Sequence, residues 1–439
     1  MSQARISPLG RLLHRVAPIE VRETPAVVAA FCLFFCVMGG YFAVRPVRET
    51  VGTMLGRERV ADLFIVTWIA AVAIVPLYGV IVARFRRSIF LPCTYGFVAL
   101  ALVLIGLALR GEQMNIAVGQ FFYVFISVLN LFLISMFWSF LLELFDSGQT
   151  KRLFGVIAAG GTAGALLGPL IADLSVTRIG NSGVLFVGAT LFFLAIVAQR
   201  VLLGIWHERS PAATTPAERE RPIGGNPFAG FALVLRSPYL LGIALFVVLL
   251  ATVNTLLYFE QLRLVEAAFA DTTERTRLFA RLDWIVQSLT ILSQVFLTGR
   301  IAKKFGVTAL LTLVPVVLVF GFLWLATSGT LMVLIVVFVF RRASEYAFIR
   351  PGREMLYSPL DNETKYKAKN VNDVPVYRGA DALAAQVNNG IAAAGFGAGA
   401  VALLGAVAAA LWAAVGWWLG RRFESDAAAR TEASAAVRS

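Results

Sequence analysis

Apolar runs of about twenty residues, separated by short polar turns, recur along the whole chain. A first set covers residues 26 to 49, 62 to 83, 88 to 110, 114 to 144, 153 to 174 and 182 to 205. A second covers 239 to 259, 279 to 301, 307 to 327, 330 to 349, 374 to 397 and 399 to 420. At ~1.5 Å per residue, a helix of that length crosses the ~30 Å hydrocarbon core of a bilayer. Between the sets lies HERSPAATTPAERERPIGGNPFAG, polar and rich in Pro, Ala and Arg, which reads as a linker. The pattern predicts an all-α polytopic membrane protein of about twelve transmembrane helices in two pseudo-symmetric six-helix bundles. The expected organisation is an N-terminal tail over 1–25, bundles over 26–205 and 239–420, a linker over 206–238 and a C-terminal tail over 421–439.

Composition agrees with that class: 59% of the 439 residues are hydrophobic and 15% charged, with a mean hydropathy of +0.78, which excludes a soluble globular domain. The formal net charge of +13 changes the picture only through its distribution. Basic residues gather in the N-terminal tail (Arg5, Arg11, Arg15, Arg22), in ARFRR at 83 to 87, at Lys151 and Arg152, in the linker, in GRIAKK at 299 to 304, over 350 to 369 and at Arg421 and Arg422. All fall on one side, so both termini are expected in the cytoplasm, at a bacterial inner membrane, and no nucleic-acid partner is implied. The mixed-charge stretch QLRLVEAAFADTTERTRLFARLD reads as an external amphipathic loop. Cys32, Cys36 and Cys93 lie within or beside apolar runs, which argues against a disulfide framework or a thiolate metal site.

The two sets look like a repeat. YGVIVARFRRS after the second span parallels LTGRIAKKFG after the eighth, and ELFDSGQTKRLFG after the fourth parallels SPLDNETKYKAKN after the tenth. That register sets Asp146 opposite Asp361 and Lys151 near Lys365; carried backwards, it sets Ser127 opposite Arg342 and Asn130 opposite Glu345.

Charges inside apolar runs are costly and need a partner or a task. Arg45 and Arg48, three apart around Pro46, share a helix face; they either fork onto phosphate or carboxylate oxygens or reach for headgroups at the helix end. Tyr123, Ser127 and Asn130 stand at helical spacing and line either a cavity or a helix contact. Glu143, Asp146, Lys151 and Arg152 form a charge relay at a turn, structural or gating. Gly160, Gly164 and Gly168 form an i, i+4 ladder for close helix packing. Asp283 heads a face with Gln287, Thr290 and Gln294, as a proton or cation site or as a helix cap. Arg341, Arg342 and Glu345 lie about halfway through the tenth span, where Glu345 can neutralise one arginine by an i+3 or i+4 contact and leave the other for an anion. Arg378 and Asp381 re-enter apolar sequence beyond the basic stretch.

SPLDNETKYKAKNVNDVPVYRGADAL, with YFAVRPVRET and LFDSGQTKRLFGVIAAGGTAGALLG, resembles the nucleotide (ATP/ADP) translocase family of plastids and intracellular bacteria and its bacterial relatives. The resemblance implies a major-facilitator-like fold with twelve helices, and exchange of ATP for ADP with phosphate as a candidate co-substrate. The basic position of the family's first-helix motif is retained as Arg48. Two positions depart: Gln149 stands where the family has a glutamate, and Ala380 with Asp381 where nucleotide exchangers have a lysine. An acid in place of a cation weakens attraction for a polyanion.

These readings converge on an alternating-access antiporter or related secondary carrier, acting as a monomer. Arg45, Arg48, Tyr123, Asn130, Arg341, Arg342 and Arg378 are expected to contact an anionic, nucleotide-like solute, and Glu143, Asp146, Lys151, Asp283, Gln287, Glu345, Lys365 and Asp381 to couple or gate. The expected partners are ATP, ADP or phosphate and membrane lipid. A proton-coupled carrier of a smaller organic solute is the alternative, with Asp283 or Asp381 as the proton site. A membrane-embedded lipid-linked transferase is a third reading, against which stand only two histidines, His14 and His207, and no metal or nucleophile motif. No cofactor, metal or catalytic residue is expected.

Overall fold

The computed structural model of the chain describes residues 20, 22–84, 87–111, 114–209 and 229–436. Arg5, Arg11 and Arg15, Phe85 and Arg86 of the second basic turn, most of the expected linker and the last three residues lie outside that set. Among the described residues every regular element is helical. In lipid this is the economical solution, because a helix satisfies its own backbone N–H and C=O groups.

In chain order the helices are α1 (Thr24–Leu55), α2 (Arg57–Arg84), α3 (Arg87–Ala108), α4 (Ile116–Leu144), α5 (Ser147–Arg209), α6 (Ala229–Arg236) and α7 (Pro238–Ala268). They continue as α8 (Thr272–Ser293), α9 (Gly299–Ser328), α10 (Leu331–Ser344), α11 (Arg350–Leu356), α12 (Asn362–Val371), α13 (Tyr377–Ala393) and α14 (Ala398–Ala436). Among the described residues, seven helices are long and apolar enough to cross a membrane by length and composition.

The predicted spans 153 to 174 and 182 to 205 are the two arms of α5, which breaks at Gly180 (φ 68°, ψ 178°). An L side chain avoids positive φ, so glycine takes the break. α9 breaks in the same way at Gly306 (φ 75°, ψ −176°), where the eighth and ninth predicted spans part. Glu424 of α14 then caps the resumed helix: its Oε1 accepts from the Thr308 N–H at 3.1 Å and its Oε2 from the Thr308 hydroxyl at 2.8 Å.

Two features differ from the expectation. The stretch read as a loop over 261 to 283 is helix on both sides of a short break, since α7 runs to Ala268 and α8 starts at Thr272. Two of its arginines find a carboxylate within a turn, Arg263 on Glu260 and Arg277 on Glu274, contacts a helix makes without a loop. Second, five-residue π-helical turns interrupt the regular ladder at Gln294–Thr298, Glu345–Ile349 and Asn372–Val376. The first two brace each other: Gln294 Nε2 donates to the Tyr346 carbonyl at 3.1 Å and Thr298 Oγ1 to the Ala347 carbonyl at 2.9 Å. π-Turns of this kind concentrate at functional segments.

The chain divides into two compact units, one of Met1–Val51, Ile74–Arg219 and Asp271–Trp284, the other of Gly52–Ala73, Glu220–Ala270 and Ile285–Ser439. In the first, α1 lies against α5 through the glycine ladder. A Cβ at Gly164 would overlap the Phe35 carbonyl and sit 2.8 Å from Gly39 N; one at Gly168 would sit 2.5 Å from the Gly39 carbonyl oxygen. Phe34 stacks flat on Phe137 with ring centroids 4.0 Å apart, and Trp138 closes the cluster edge-on. In the second unit α9 runs along α14, and α13 and α14 pack on α7. Its core holds Phe246, Leu311, Leu318, Phe322 and Trp412, with Phe246 edge-on to Trp412 at 5.5 Å.

Candidate functional site

In the first unit the polar side chains gather around the outgoing half of α1. Pro46 removes one backbone donor between the two arginines, and the Pro46 carbonyl accepts from the Thr50 hydroxyl at 3.2 Å. Arg45 and Arg48 both turn to Glu49, whose residue is 6% exposed. Glu49 Oε1 lies 3.6 Å from Arg45 Nε and bonds Arg48 Nη2. Arg48 Nη1 donates to Ser127 Oγ at 2.9 Å, its guanidinium lies 5.1 Å from the Tyr123 ring centroid, and Ser127 donates to the Tyr123 carbonyl at 2.7 Å. Tyr123 is buried, and Asn130 is half-buried further along the same helix.

Arg45 Nη1 reaches Asp283 Oδ1 at 3.4 Å. Asp283 lies well inside α8 and is buried, so it is not a helix cap; Asp271 serves the helix start, its Oδ1 accepting from Thr273 N at 2.9 Å. Gln287, one turn on, is half-buried. A second buried carboxylate, Asp173 of α5, accepts from the same stretch of α8, from Trp284 Nε1 at 3.0 Å and Arg281 Nη2 at 3.3 Å, and Arg277 Nε lies 3.5 Å from it as an ion pair. Sequence reasoning missed both Glu49 and Asp173.

The turn between α4 and α5 is built around Asp146, Gln149 and Arg152. Asp146 caps α5, its Oδ1 accepting from Gln149 N at 2.8 Å, and Gln149 Oε1 accepts from Asp146 N at 3.2 Å, a reciprocal capping box. Gln149 Nε2 also donates to Glu23 Oε1 at 3.1 Å, the oxygen that Arg152 Nη2 reaches at 2.8 Å. Arg152 thus answers Glu23, with Glu20 at 3.6 Å. Glu143 is exposed, and the Lys151 side chain lies outside the described residues.

In the second unit α10 buries Arg341 and Arg342 at 3% and 4% exposure. Arg341 Nη1 donates to Glu345 Oε2 at 2.9 Å, one turn on, while Glu345 Oε1 lies 3.6 Å from Arg350 Nε. Both buried guanidiniums lie over the Phe338 ring, at 5.6 and 5.3 Å from its centroid. Two guanidiniums, those of Arg341 and Arg350, therefore share one carboxylate along α10 and the π-turn that Glu345 opens. Arg378 Nη1 lies 3.5 Å from Asp381 Oδ2, and the buried Asp381 accepts from Thr255 Oγ1 at 2.8 Å. Asn254 beside it donates to the Tyr377 hydroxyl at 3.0 Å. Lys365 is half-buried on α12, whose N-cap is Asp361. Guanidiniums held away from water are weakly hydrated and bind oxyanions in forked geometry, which is the chemistry this arrangement supplies.

Apolar helices that carry buried, mutually engaged arginines and carboxylates define a membrane transport protein. The chain belongs to the Major Facilitator Superfamily, which it matches over residues 30–349, and is a secondary transporter that moves solute without converting it. It is 25% identical over 446 residues to ADP,ATP carrier protein 1 of Chlamydia muridarum, covering 86% of this chain and 84% of the relative. Among solved structures it resembles the nucleoside transporter NupG, with a TM-score of 0.62, 14% identity and coverage of 91% and 98%. It also resembles a bacterial homologue of the iron transporter ferroportin, with a TM-score of 0.63, 12% identity and coverage of 90% and 98%.

Proposed function

We propose that the chain carries an anionic, nucleotide-like solute by alternating access, as an ATP/ADP-type exchanger, in a bacterial inner membrane with both termini cytoplasmic. The observation that carries this reading is the pair of guanidiniums buried in one apolar helix, Arg341 at 3% exposure and bonded to Glu345 at 2.9 Å, with Arg342 at 4% beside it. Guanidiniums in a low-dielectric site attract an entering oxyanion strongly and bind it in forked geometry. The likeness to chlamydial ADP,ATP carriers supports the same solute class. Arg45, Arg48, Tyr123, Asn130, Arg341, Arg342 and Arg378 are the proposed contacts; Asp283, Gln287, Glu345 and Asp381 are the proposed coupling groups.

The test is flux into proteoliposomes holding the purified chain, with labelled ATP, ADP or phosphate outside and each of them in turn inside. Wild type exchanges at least one, and Arg342→Ala loses the flux at an unchanged yield of folded protein. Equal flux in the variant removes Arg342 from the site, and wild-type silence with all three solutes sinks the nucleotide reading.

A proton-coupled carrier of a smaller organic solute is the second reading, and Asp381 favours it. Its carboxylate sits where the resemblance leads one to expect a lysine, and it engages Arg378 and Thr255. That pair is formally neutral and attracts a polyanion less than a lysine does. Uptake driven by a pH gradient without internal solute selects this reading over exchange.

A further inference from the structure

The α1 cluster is formally balanced: Arg45 and Arg48 face Glu49 and Asp283. An incoming oxyanion that engages both arginines must therefore take over a place that a carboxylate holds. Glu49 Oε1 is the one oxygen that both guanidiniums approach, at 3.6 Å from Arg45 Nε and hydrogen-bonded to Arg48 Nη2. The other oxygen, Oε2, is buried without a hydrogen bond. A carboxylate held only through one oxygen, at the focus of two guanidiniums, is poorly anchored for a purely structural salt bridge. Oε1 stands where a phosphate or carboxylate oxygen of the cargo would bind both arginines.

We propose that Glu49 is a built-in surrogate for the cargo's anionic group, a positioning residue that, together with Asp283, balances Arg45 and Arg48 when no cargo is bound and yields its place to the incoming oxyanion. The inference rests on the carrier reading above and adds to it the residue with which cargo competes. Two consequences follow from its charge. The carboxylate lowers affinity for the cargo, because binding must displace it. It also spares the cargo-free protein one uncompensated half-buried cation beside the Arg45–Asp283 pair, so that the empty carrier can return across the membrane and net transport is possible beside exchange.

The experiment uses full-length wild type, Glu49→Gln and Glu49→Asp. Each is titrated with inorganic phosphate and, separately, with ADP, following thermal stability; each is then reconstituted for exchange against internal ADP and for net efflux into solute-free medium. Glu49→Gln is expected to bind phosphate about tenfold more tightly, the scale of one charge-assisted interaction. Its melting temperature in chloride buffer falls and is restored by phosphate more than that of wild type. Exchange persists while net efflux drops. Glu49→Asp keeps the charge at a shorter reach and falls between the two. Equal phosphate affinity in wild type and Glu49→Gln overturns the proposal, as does an equal drop of exchange and efflux. Wild type that moves neither ADP nor phosphate, with the phosphate-binding difference intact, removes the nucleotide reading and leaves the surrogate role standing.

Discussion

Asp146 and Asp361 hold the same local position in the two halves of the sequence. Each precedes a helix, and each carboxylate accepts the backbone N–H three residues on, from Gln149 at 2.8 Å and from Thr364 at 2.9 Å. The repeat register read from ELFDSGQTKRLFG and SPLDNETKYKAKN is thus a register of helix starts. Asp146→Ala is expected to cost about 1 kcal/mol, typical for loss of a cap. Thermal unfolding of the purified protein measures it, and a variant as stable as wild type removes the capping role. Gln149 adds a reason for its own identity. As an amide it accepts from Asp146 N and donates to Glu23; a glutamate could not donate and would set a second carboxylate beside Glu23.

Asp361 lends itself to a pH test. The backbone N–H of Thr364, foremost, and the Thr364 hydroxyl hold its carboxyl below the ordinary carboxylate value. A group depressed in the folded state stabilises fully above its unfolded value and loses that contribution as pH falls through its folded one. Wild type should therefore exceed Asp361→Asn in stability at neutral pH, and the gap should close as pH falls below about 4. A gap that is constant from neutral to acid pH shows that the ionised cap contributes nothing.

Much of the fold was legible because lipid imposes length and hydropathy on every crossing segment: both interior helix breaks fall between predicted runs, at Gly180 and Gly306. The 261 to 283 stretch misled because its charge density resembles a loop, whereas Glu260 and Arg263 neutralise each other on one helix face. Glu49 was visible in YFAVRPVRET, one turn after Arg45 and directly after Arg48, but a reading that weighs cations as ligands passes over the anion between them. Asp173 gave only the weak sign of a lone acid in an apolar run. Its partners lie more than a hundred residues away, and no local spacing names them. The π-turns leave no periodic trace, since one inserted residue disturbs the pattern less than ordinary variation does.

Glu345 is a buried carboxylate with two guanidinium neighbours. It is the carboxylate reached by both Arg341, at 2.9 Å, and Arg350, at 3.6 Å. Glu345→Gln leaves buried guanidinium without that counter-charge and is expected to destabilise by about 3–5 kcal/mol, the range for breaking a buried pair. Replacing both partners by apolar residues, Arg341→Met with Glu345→Leu, should recover much of the loss while transport stays abolished. Thermal unfolding and proteoliposome flux separate the two effects. A double variant that transports normally removes the pair from the mechanism.

Gly155 and Gly164 share the first arm of α5 but not its surroundings. A Cβ at Gly155 would meet nothing within 4 Å, while one at Gly164 would run into the backbone of α1 at Phe35 and Gly39. Alanine in place of an unconstrained helical glycine stabilises by about 0.5–1 kcal/mol, because the unfolded chain loses freedom. Overpacking a close helix contact costs about 1–3 kcal/mol. The same substitution should therefore change sign along one helix, with Gly155→Ala raising the melting temperature and Gly164→Ala lowering it. Gly164→Val should be worse still, since the obstacle is the α1 backbone and not the end of a flexible side chain. If both alanine variants shift stability in the same direction, the glycine ladder is not the close contact on which α1 and α5 pack.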